Sequence, residues 1–287
     1  MMIHPVLSER NVHPRDEFIK FYEDGHKYEI TCDPNEKYTS ETTWNHTHFP
    51  KFDSDSVIKK MMNGKNWKPG HKYWGMTVEE IKESWNKNKD SVAMAGTDMH
   101  AKIECFMNCK ELKDKKYSHY DLFENYKQHK EDEEMTLEWK YFLQFIQDHK
   151  DMKPYRTEWM IFHEDVKLAG SIDMVYENDD GTLEIYDWKR SKDITKINTW
   201  NNYALNKIVN NMPDSNFWHY ALQLNTYRKI LEEKYEKKVV KLCLVRLHPD
   251  NEDESYELLN VPLLDKEMKE LFEERKKILT LTTKKTT

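Results

Sequence analysis

Carboxylates and an amine lie close together in an otherwise apolar stretch, residues 167–189. Its middle, Glu177–Gly181, is polar and ends in glycine, which is typical of a turn. The flanks on both sides are rich in Ile, Val, Leu and Tyr. They predict the two strands of a hairpin, residues 167–176 and 182–188.

The predicted hairpin brings two acids and one lysine onto one patch. A turn centred at residues 179–180 places Asp173 opposite Asp187, give or take one residue. Strand periodicity puts Asp187 and Lys189 on the same face. Crowded carboxylates repel each other, and a hard divalent cation such as Mg²⁺ relieves that cost. The Lys189 amine could then hold an attacking water or a developing negative charge; the alternative is three solvated strand residues.

Length and composition predict a soluble globular protein. The 287 residues, 38% hydrophobic and 34% charged, allow one large domain or a core with an appended lobe. No run approaches the ~18 apolar residues of a membrane span, and the first residues lack the apolar core of a secretory signal. The four cysteines form no C-x-x-C pair, which favours a reducing, intracellular compartment.

The net charge of −7 argues against a protein that coats duplex DNA broadly. A local basic channel is still compatible with it, because partner preference depends on how charge is distributed. A basic excess follows the second hairpin strand directly. Its members are Lys189, Arg190, Lys192, Lys196 and Lys207. The alternative interpretation is a solvated basic loop.

The first ninety residues predict short strands, turns and two helices. Residues 26–31 alternate as a strand, and the hydroxyl-rich run Tyr38–Trp44 either bonds phosphate oxygens or caps a helix. A short helix is expected over residues 54–63 and a loop over 66–75. The capping box Thr77–Glu80 opens a further helix through about residue 87.

A separate helix is expected over residues 93–108. Its Gly96, His100 and Glu104 share one face at i, i+4 spacing. A helical histidine by itself is more often structural than a ligand. Residues 110–134 are charged and irregular, with helical stretches, and an amphipathic core helix is expected over 135–150.

The remaining elements alternate between strands and helices. Residues 155–163 predict a strand in which Glu158 is a charged exception, either an active-site acid or half of an ion pair. Residues 217–235 predict a helix with Gln223 and Tyr227 on one face. The other expectations are strands over 238–248 and 255–262, a helix over 263–279 and a disordered tail over 280–287.

In this order the motifs resemble the PD-(D/E)XK nuclease superfamily, and within it the RecB-like exonucleases, among them mitochondrial and large-DNA-virus enzymes. The motifs are Thr39-Ser40-x-Thr42, Gly96-x-x-x-His100-x-x-x-Glu104, Glu158, Gly170-x-x-Asp173, Asp187-Trp188-Lys189 and Gln223-x-x-x-Tyr227, in which Glu104 matches a further acid of some members. Departures are Ile172 for the name-giving proline, Glu41 for a usual hydrophobic residue and Arg190 for a common threonine.

The resemblance implies an α/β fold with a restriction-endonuclease-like αβββαβ core, a mixed sheet flanked by helices and a mostly helical N-terminal part. The expected division is an N-terminal region over residues 1–90, a nuclease core over 91–279 and a flexible tail. Some relatives hold an iron–sulfur cluster through one early and three late cysteines. Cys243 is the single late cysteine here, so no cluster is expected.

The resemblance also assigns the site. One or two Mg²⁺ or Mn²⁺ ions would be held by His100, Asp173, Asp187 and the Trp188 carbonyl. Lys189 and Glu158 would complete the catalytic set. Expected substrate-positioning residues are Gln223 and Tyr227, and expected DNA contacts are Ser40, Thr42, Arg190, Lys192, Lys196 and Tyr227. The aromatics Trp44, Trp200 and Tyr203 are candidates to stack on bases.

The resulting hypothesis is a metal-dependent DNA exonuclease that prefers free single-stranded ends and serves replication, recombination or repair. One rival is a metal-dependent endonuclease, acting on DNA or, as in cap-snatching, on RNA. A second rival is a nucleic-acid-binding module that has kept the fold and lost the chemistry. Polarity of digestion, oligomeric state and pathway stay open.

Overall fold

The computed structural model describes residues 5–129, 135–198 and 201–286. Eight helices occur in these ranges. They are α1 (Val6–Arg10), α2 (Glu41–His46), α3 (Ser54–Met62), α4 (Val78–Met107), α5 (His119–His129), α6 (Leu137–Asp148), α7 (Asn216–Lys234) and α8 (Asp265–Thr286). The strands are β1 (Ile19–Tyr22), β2 (Lys27–Ile30), β3 (Thr39–Ser40), β4 (Pro154–His163), β5 (Leu168–Glu177), β6 (Leu183–Lys189), β7 (Val239–Arg246) and β8 (Glu257–Val261).

Six strands form one mixed sheet at the centre of the molecule. Its order is β3-β5-β6-β7-β8, and β4 pairs with β5. The pairs β3–β5 and β6–β7 are parallel, and the others are antiparallel. The succession α4, β4, β5, β6, α7, β7 contains the expected αβββαβ core, so the predicted α/β fold class is confirmed. β1 and β2 form a separate antiparallel pair.

Two hydrophobic clusters cover the two faces of the sheet. On β6, Ile185 belongs to the cluster built with α7 and α8. Its neighbours Tyr186 and Trp188 belong to the cluster built with α4 and α6. This alternation follows from the period of two along a strand. It places Asp187 and Lys189 on the same face, as the sequence predicts, and this face is the α7 side.

The hairpin forms where the sequence predicts it. The Asn178 N–H donates to the Thr182 carbonyl across the turn, and Gly181 takes a φ of 80°, which glycine tolerates best. Met174 pairs with Tyr186. One further step along this register brings Asp173 beside Asp187, so the predicted juxtaposition of the two acids is confirmed.

The two helices expected over residues 77–87 and 93–108 are one helix, α4, of 30 residues. The capping box of Thr77 and Glu80 opens it as predicted. The polar run Asn88–Ser91 contains no glycine or proline, so nothing in it stops the backbone hydrogen bonding. The domain boundary expected at residue 90 therefore falls inside a continuous helix, and the division into two regions stays a prediction.

The C-terminal prediction is also corrected. The last helix was expected to end at Leu279 with a disordered tail, but α8 continues to Thr286. Thr280–Thr287 contains no glycine or proline, and threonine is only a weak helix former rather than a helix stop. No helix in the described part of the chain has the length and apolar character needed to cross a membrane.

Candidate active site

Three potential metal ligands converge where α4 crosses β4 and β5. Ligand atoms of His100, Glu158 and Asp173 all lie within 4.8 Å of one another. The His100 Nδ1 atom is 3.5 Å from Asp173 Oδ2 and 3.9 Å from Glu158 Oε1. His100 Nε2 is 2.9 Å from the Trp188 carbonyl oxygen, which can only accept a hydrogen bond. Nε2 therefore donates, and Nδ1 faces the carboxylates.

The two acids of the hairpin are held by different partners. Asp173 Oδ2 accepts a hydrogen bond of 3.1 Å from the Trp188 N–H. Asp187 is buried, and its Oδ2 atom is 2.5 Å from the Lys189 Nζ atom. Burial raises the pKa of Asp187 to about 7, with Asp173 adding to the rise and Lys189 opposing it. Burial also raises the pKa of Asp173, and the charge of His100 offsets part of this rise.

His100 responds to the same negative charge. Burial by itself would lower its pKa, but Asp173, Glu158 and Asp187 outweigh that effect and raise it to about 9. A carboxylate cluster that raises the pKa of its histidine and of its own acids attracts positive charge. Imidazole nitrogen and carboxylate oxygens at this spacing are a donor set that suits a divalent cation such as Mg²⁺ or Mn²⁺. The residues present therefore fit a metal site.

Lys189 is positioned by a pair of neighbours on the α7 side. Besides Asp187, its ammonium group lies 4.4 Å from the centre of the Tyr220 ring, a cation–π contact. Burial would lower the pKa of Lys189, but Asp187 and Asp173 raise it well above the usual value. The amine is therefore a fixed positive charge. Tyr220 was not singled out from the sequence, because nothing local indicates which helix covers Lys189.

Glu158 occupies an unusual backbone position. Its φ is 42°, a left-handed value that is rare for a non-glycine residue within a strand. The side chain accepts a hydrogen bond of 3.0 Å from Ser171 Oγ and reaches toward His100. Strained backbone of this kind concentrates at functional sites. This strain and the approach to His100 favour the active-site interpretation over a simple ion pair.

The Gln223 and Tyr227 pair lies beside β5 and is largely structural. The Gln223 amide donates to Tyr227 Oη at 3.1 Å. The Tyr227 ring is 3% exposed and packs against Gly170, where an added Cβ would lie 2.6 Å from Tyr227 Cε1. The ring offers no free face to a base in this packing, and the expected DNA contact of Tyr227 stays a prediction.

The expected hydroxyl contacts have different environments. Ser40 Oγ caps α2 by accepting from the Thr43 N–H and also bonds the Thr43 hydroxyl. Thr42 is exposed and lines a cavity between α2 and α3. Thr39 accepts a hydrogen bond from Arg275 of α8. Of the hydroxyls Thr39, Ser40 and Thr42, Thr42 is thus the one whose side chain is open toward a ligand.

The basic run after β6 is partly committed to intramolecular partners. Arg190 forms an ion pair of 2.7 Å with Glu138 of α6. Lys192 is exposed and lies 3.4 Å from Asp250. Lys196 stacks over the Phe217 ring at 4.7 Å. Their roles in DNA binding stay predictions.

Two of the three proposed stacking aromatics can be placed. Trp44 is 5% exposed and packs on Phe272 and His48, so its predicted stacking on a base is wrong. A tryptophan one turn into a short helix faces the core here, a fact that local sequence does not reveal. Tyr203 is exposed. Trp200 lies outside the described residues.

A buried acid beneath the site escaped the sequence analysis as a functional candidate. Glu41, the first residue of α2, is 0% exposed, and neither of its carboxylate oxygens has a hydrogen-bond partner among the described residues. Burial raises its pKa to about 8. Of the smaller effects, the positive charge of Lys189 lowers this pKa and the negative charge of Asp187 raises it. The only sequence signal is the departure already noted, an acid where the resembling proteins carry a hydrophobic residue.

Comparison with known proteins agrees with this geometry. No curated protein sequence matches the chain. A family profile matches residues 76–284, which include α4, the whole hairpin, α7 and all but the last two residues of α8. The match covers well over half of the chain and contains every residue of the His100, Glu158, Asp173, Asp187 and Lys189 set. The chain therefore belongs to the PD-(D/E)XK nuclease superfamily.

Proposed function

We propose that this nuclease is a Mg²⁺- or Mn²⁺-dependent exodeoxyribonuclease that acts on free single-stranded ends, in DNA replication, recombination or repair. The observation that carries the proposal is the convergence of His100, Glu158 and Asp173 within 4.8 Å, with the ion pair of Asp187 and Lys189 on the same hairpin. Metal-dependent phosphodiester hydrolysis uses both parts, a site for cations and a fixed positive charge near the reacting phosphate.

The roles of the side chains follow from their surroundings. His100, Asp173, Asp187, Glu158 and the Trp188 carbonyl would hold one or two ions. A bound divalent ion polarises the phosphate and lowers the pKa of a water molecule. The Lys189 ammonium, held by Asp187 and Tyr220, is placed to orient that water or to stabilise negative charge that develops on the phosphate.

One feature supports a separated strand as the substrate, and a second supports exonuclease activity. The Asp187 and Lys189 side chains are recessed, at 3% and 18% exposure, so a phosphate must reach into the surface to meet them. A single strand bends into such a site with less distortion than a duplex does. The Gln223-x-x-x-Tyr227 helix, the mark of the RecB-like branch, supports exonuclease over endonuclease activity. Thr42, Lys192 and Lys196 would contact the phosphates.

The decisive experiment compares DNA topologies. Single-stranded and double-stranded DNA, each linear and circular and each labelled, are incubated with Mg²⁺, with Mn²⁺ and with a chelator. The proposal predicts metal-dependent degradation of linear single strands and survival of closed circles. Nicking of circles at the linear rate would make the enzyme an endonuclease. Linear RNA of the same sequence is the parallel substrate, and cleavage of this RNA without cleavage of the DNA would make the enzyme an RNase.

A further inference from the structure

A basic and aromatic surface lies away from the metal ligands, on the connection between α3 and α4. Residues 56–78 contain no aspartate or glutamate, in a chain whose net charge is −7. The same residues contain five exposed lysines, none of which forms an ion pair with a described residue. These are Lys59, Lys60, Lys65, Lys68 and Lys72.

Aromatic rings alternate with these lysines. The Trp67 and Trp74 ring centres are 5.7 Å apart, and the His71 ring lies 5.0 Å from Trp67. Trp74 is 46% exposed, although an indole gains most from burial. The Lys72 ammonium group lies 5.1 Å from the centre of the Tyr73 ring. Exposed rings among unpaired lysines match the chemistry of a nucleic-acid strand, with its bases and phosphates.

This surface is continuous with a cavity beside α2. The ring centres of Tyr73 and of Trp85 in α4 are 6.3 Å apart, and those of Trp85 and Phe52 are 6.2 Å apart. Phe52 is 74% exposed and lines a cavity of about 1020 Å³, together with Lys60 and Thr42. The rings therefore form an unbroken series from the α3–α4 connection to the cavity.

The cavity and the active site share the start of α7. One of its walls is His219, near the start of α7. The next residue, Tyr220, is the ring that lies 4.4 Å from the Lys189 ammonium group. The cavity also has hydroxyls from Thr42, Thr43 and Ser56 along its lining, and these are groups that bond phosphate oxygens.

We infer that the α3–α4 connection and this cavity form a track that binds single-stranded DNA and leads it to Lys189. Trp74 and Phe52 stack on bases, and the exposed lysines Lys60, Lys65, Lys68 and Lys72 contact phosphates. The inference rests on the proposed function, because it takes the strand to be the substrate of the same site. The strong positive charge and the exposed rings favour a nucleic-acid strand over a protein partner.

The test measures binding separately from cleavage. Fluorescence anisotropy with labelled oligothymidylates of about 4 to about 30 nucleotides is recorded in chelator, where no hydrolysis is expected. The variants are Trp74→Ala, Phe52→Ala and the triple change of Lys65, Lys68 and Lys72 to Ala. Matched controls are Tyr120→Ala, an exposed ring on α5, and a triple change to Ala at three exposed lysines elsewhere, Lys110, Lys113 and Lys150.

We expect each aromatic variant to bind the long strand at least about fivefold more weakly, as the loss of one stacked base does. The triple lysine variant should lower the slope of log affinity against log salt by about 2, since each single-strand phosphate contact contributes about 0.7. Changing the same three lysines to Arg should retain the slope. The controls should bind as the wild type does.

Three outcomes would overturn the inference. The first is long-strand affinity unchanged in all three variants when they are folded by circular dichroism. The second is an equal loss of affinity for a four-nucleotide strand and for a long strand, because an extended track should matter more for the long strand. The third is an equal loss for blunt duplex, which removes the preference for single strands. Absence of cleavage with any metal, combined with the expected binding losses, would refute the proposed function and leave the track in place.

Discussion

The buried Glu41 gives a prediction whose size can be worked out from the structure. In the folded protein burial raises the pKa of this acid to about 8, whereas an ordinary glutamate has a value of 4.5. Because the folded pKa lies above the unfolded one, the unfolded chain loses its proton first. Ionisation therefore favours unfolding, with a penalty that is absent below about pH 4.5, grows between pH 4.5 and 8, and stays constant above pH 8.

The magnitude follows from about 1.4 kcal/mol for each unit of pKa difference. The penalty is ~3 kcal/mol at pH 7 and ~5 kcal/mol above pH 8, as upper values. Glu41→Gln keeps the shape of the side chain and removes the ionisation. The stability of the variant relative to the wild type should therefore rise steadily from pH 5 to pH 8 and then level off.

The assay is urea unfolding of both proteins in chelator, from about pH 5 to about pH 9. The quantity plotted against pH is the unfolding free energy of the variant minus that of the wild type. A constant cost of burying the glutamine amide shifts this curve as a whole and leaves its slope unchanged. Glu270→Gln, at an exposed position on α8, is the matched control and should give a flat curve within ~0.5 kcal/mol. A flat curve for Glu41→Gln as well would show that burial does not raise the pKa of Glu41, since Glu41 would then titrate as an ordinary solvated acid.

Two further predictions concern the site and its support. Lys189→Ala should keep DNA affinity within a few-fold and abolish cleavage, because one phosphate contact carries little of the binding; anisotropy and a gel assay measure the two separately, and lost binding with normal turnover would make Lys189 a docking residue. Gly170→Ala should lower the free energy of unfolding by ~1–3 kcal/mol, because the new Cβ meets the buried Tyr227 ring at 2.6 Å. Gly96→Ala is the matched control, because no atom lies within 4 Å of the added Cβ in the middle of α4. Its free energy of unfolding should stay equal or rise by up to ~1 kcal/mol. A loss at Gly96 equal to that at Gly170 would contradict the packing argument.

Local signals explain why the core of the site could be predicted. The turn ending in Gly181 sets the register of β5 and β6, and that register brings Asp173 and Asp187 together. Period-two alternation then places Lys189 beside Asp187. Each of these steps uses residues that are close in sequence, which is why they need no knowledge of the tertiary structure.

The parts that the sequence does not reveal depend on contacts between distant residues. Trp44 is buried because α8 supplies Phe272, more than two hundred positions away. Arg190 pairs with Glu138, which only the packing of α6 brings near. The sequence predicts two helices in place of the single helix α4, although no glycine or proline lies between them and a helix ends only where a cap or a breaker ends it.

The most direct test of the account is metal binding by the His100, Glu158 and Asp173 cluster. Mn²⁺ is titrated into the wild type and into Asp173→Asn, with free Mn²⁺ followed by electron paramagnetic resonance and cleavage of linear single-stranded DNA followed in parallel. The account predicts that the variant stays folded, binds Mn²⁺ at least about tenfold more weakly and cleaves at least about a hundredfold more slowly. A folded Asp173→Asn protein that binds Mn²⁺ and degrades DNA as the wild type does would contradict it.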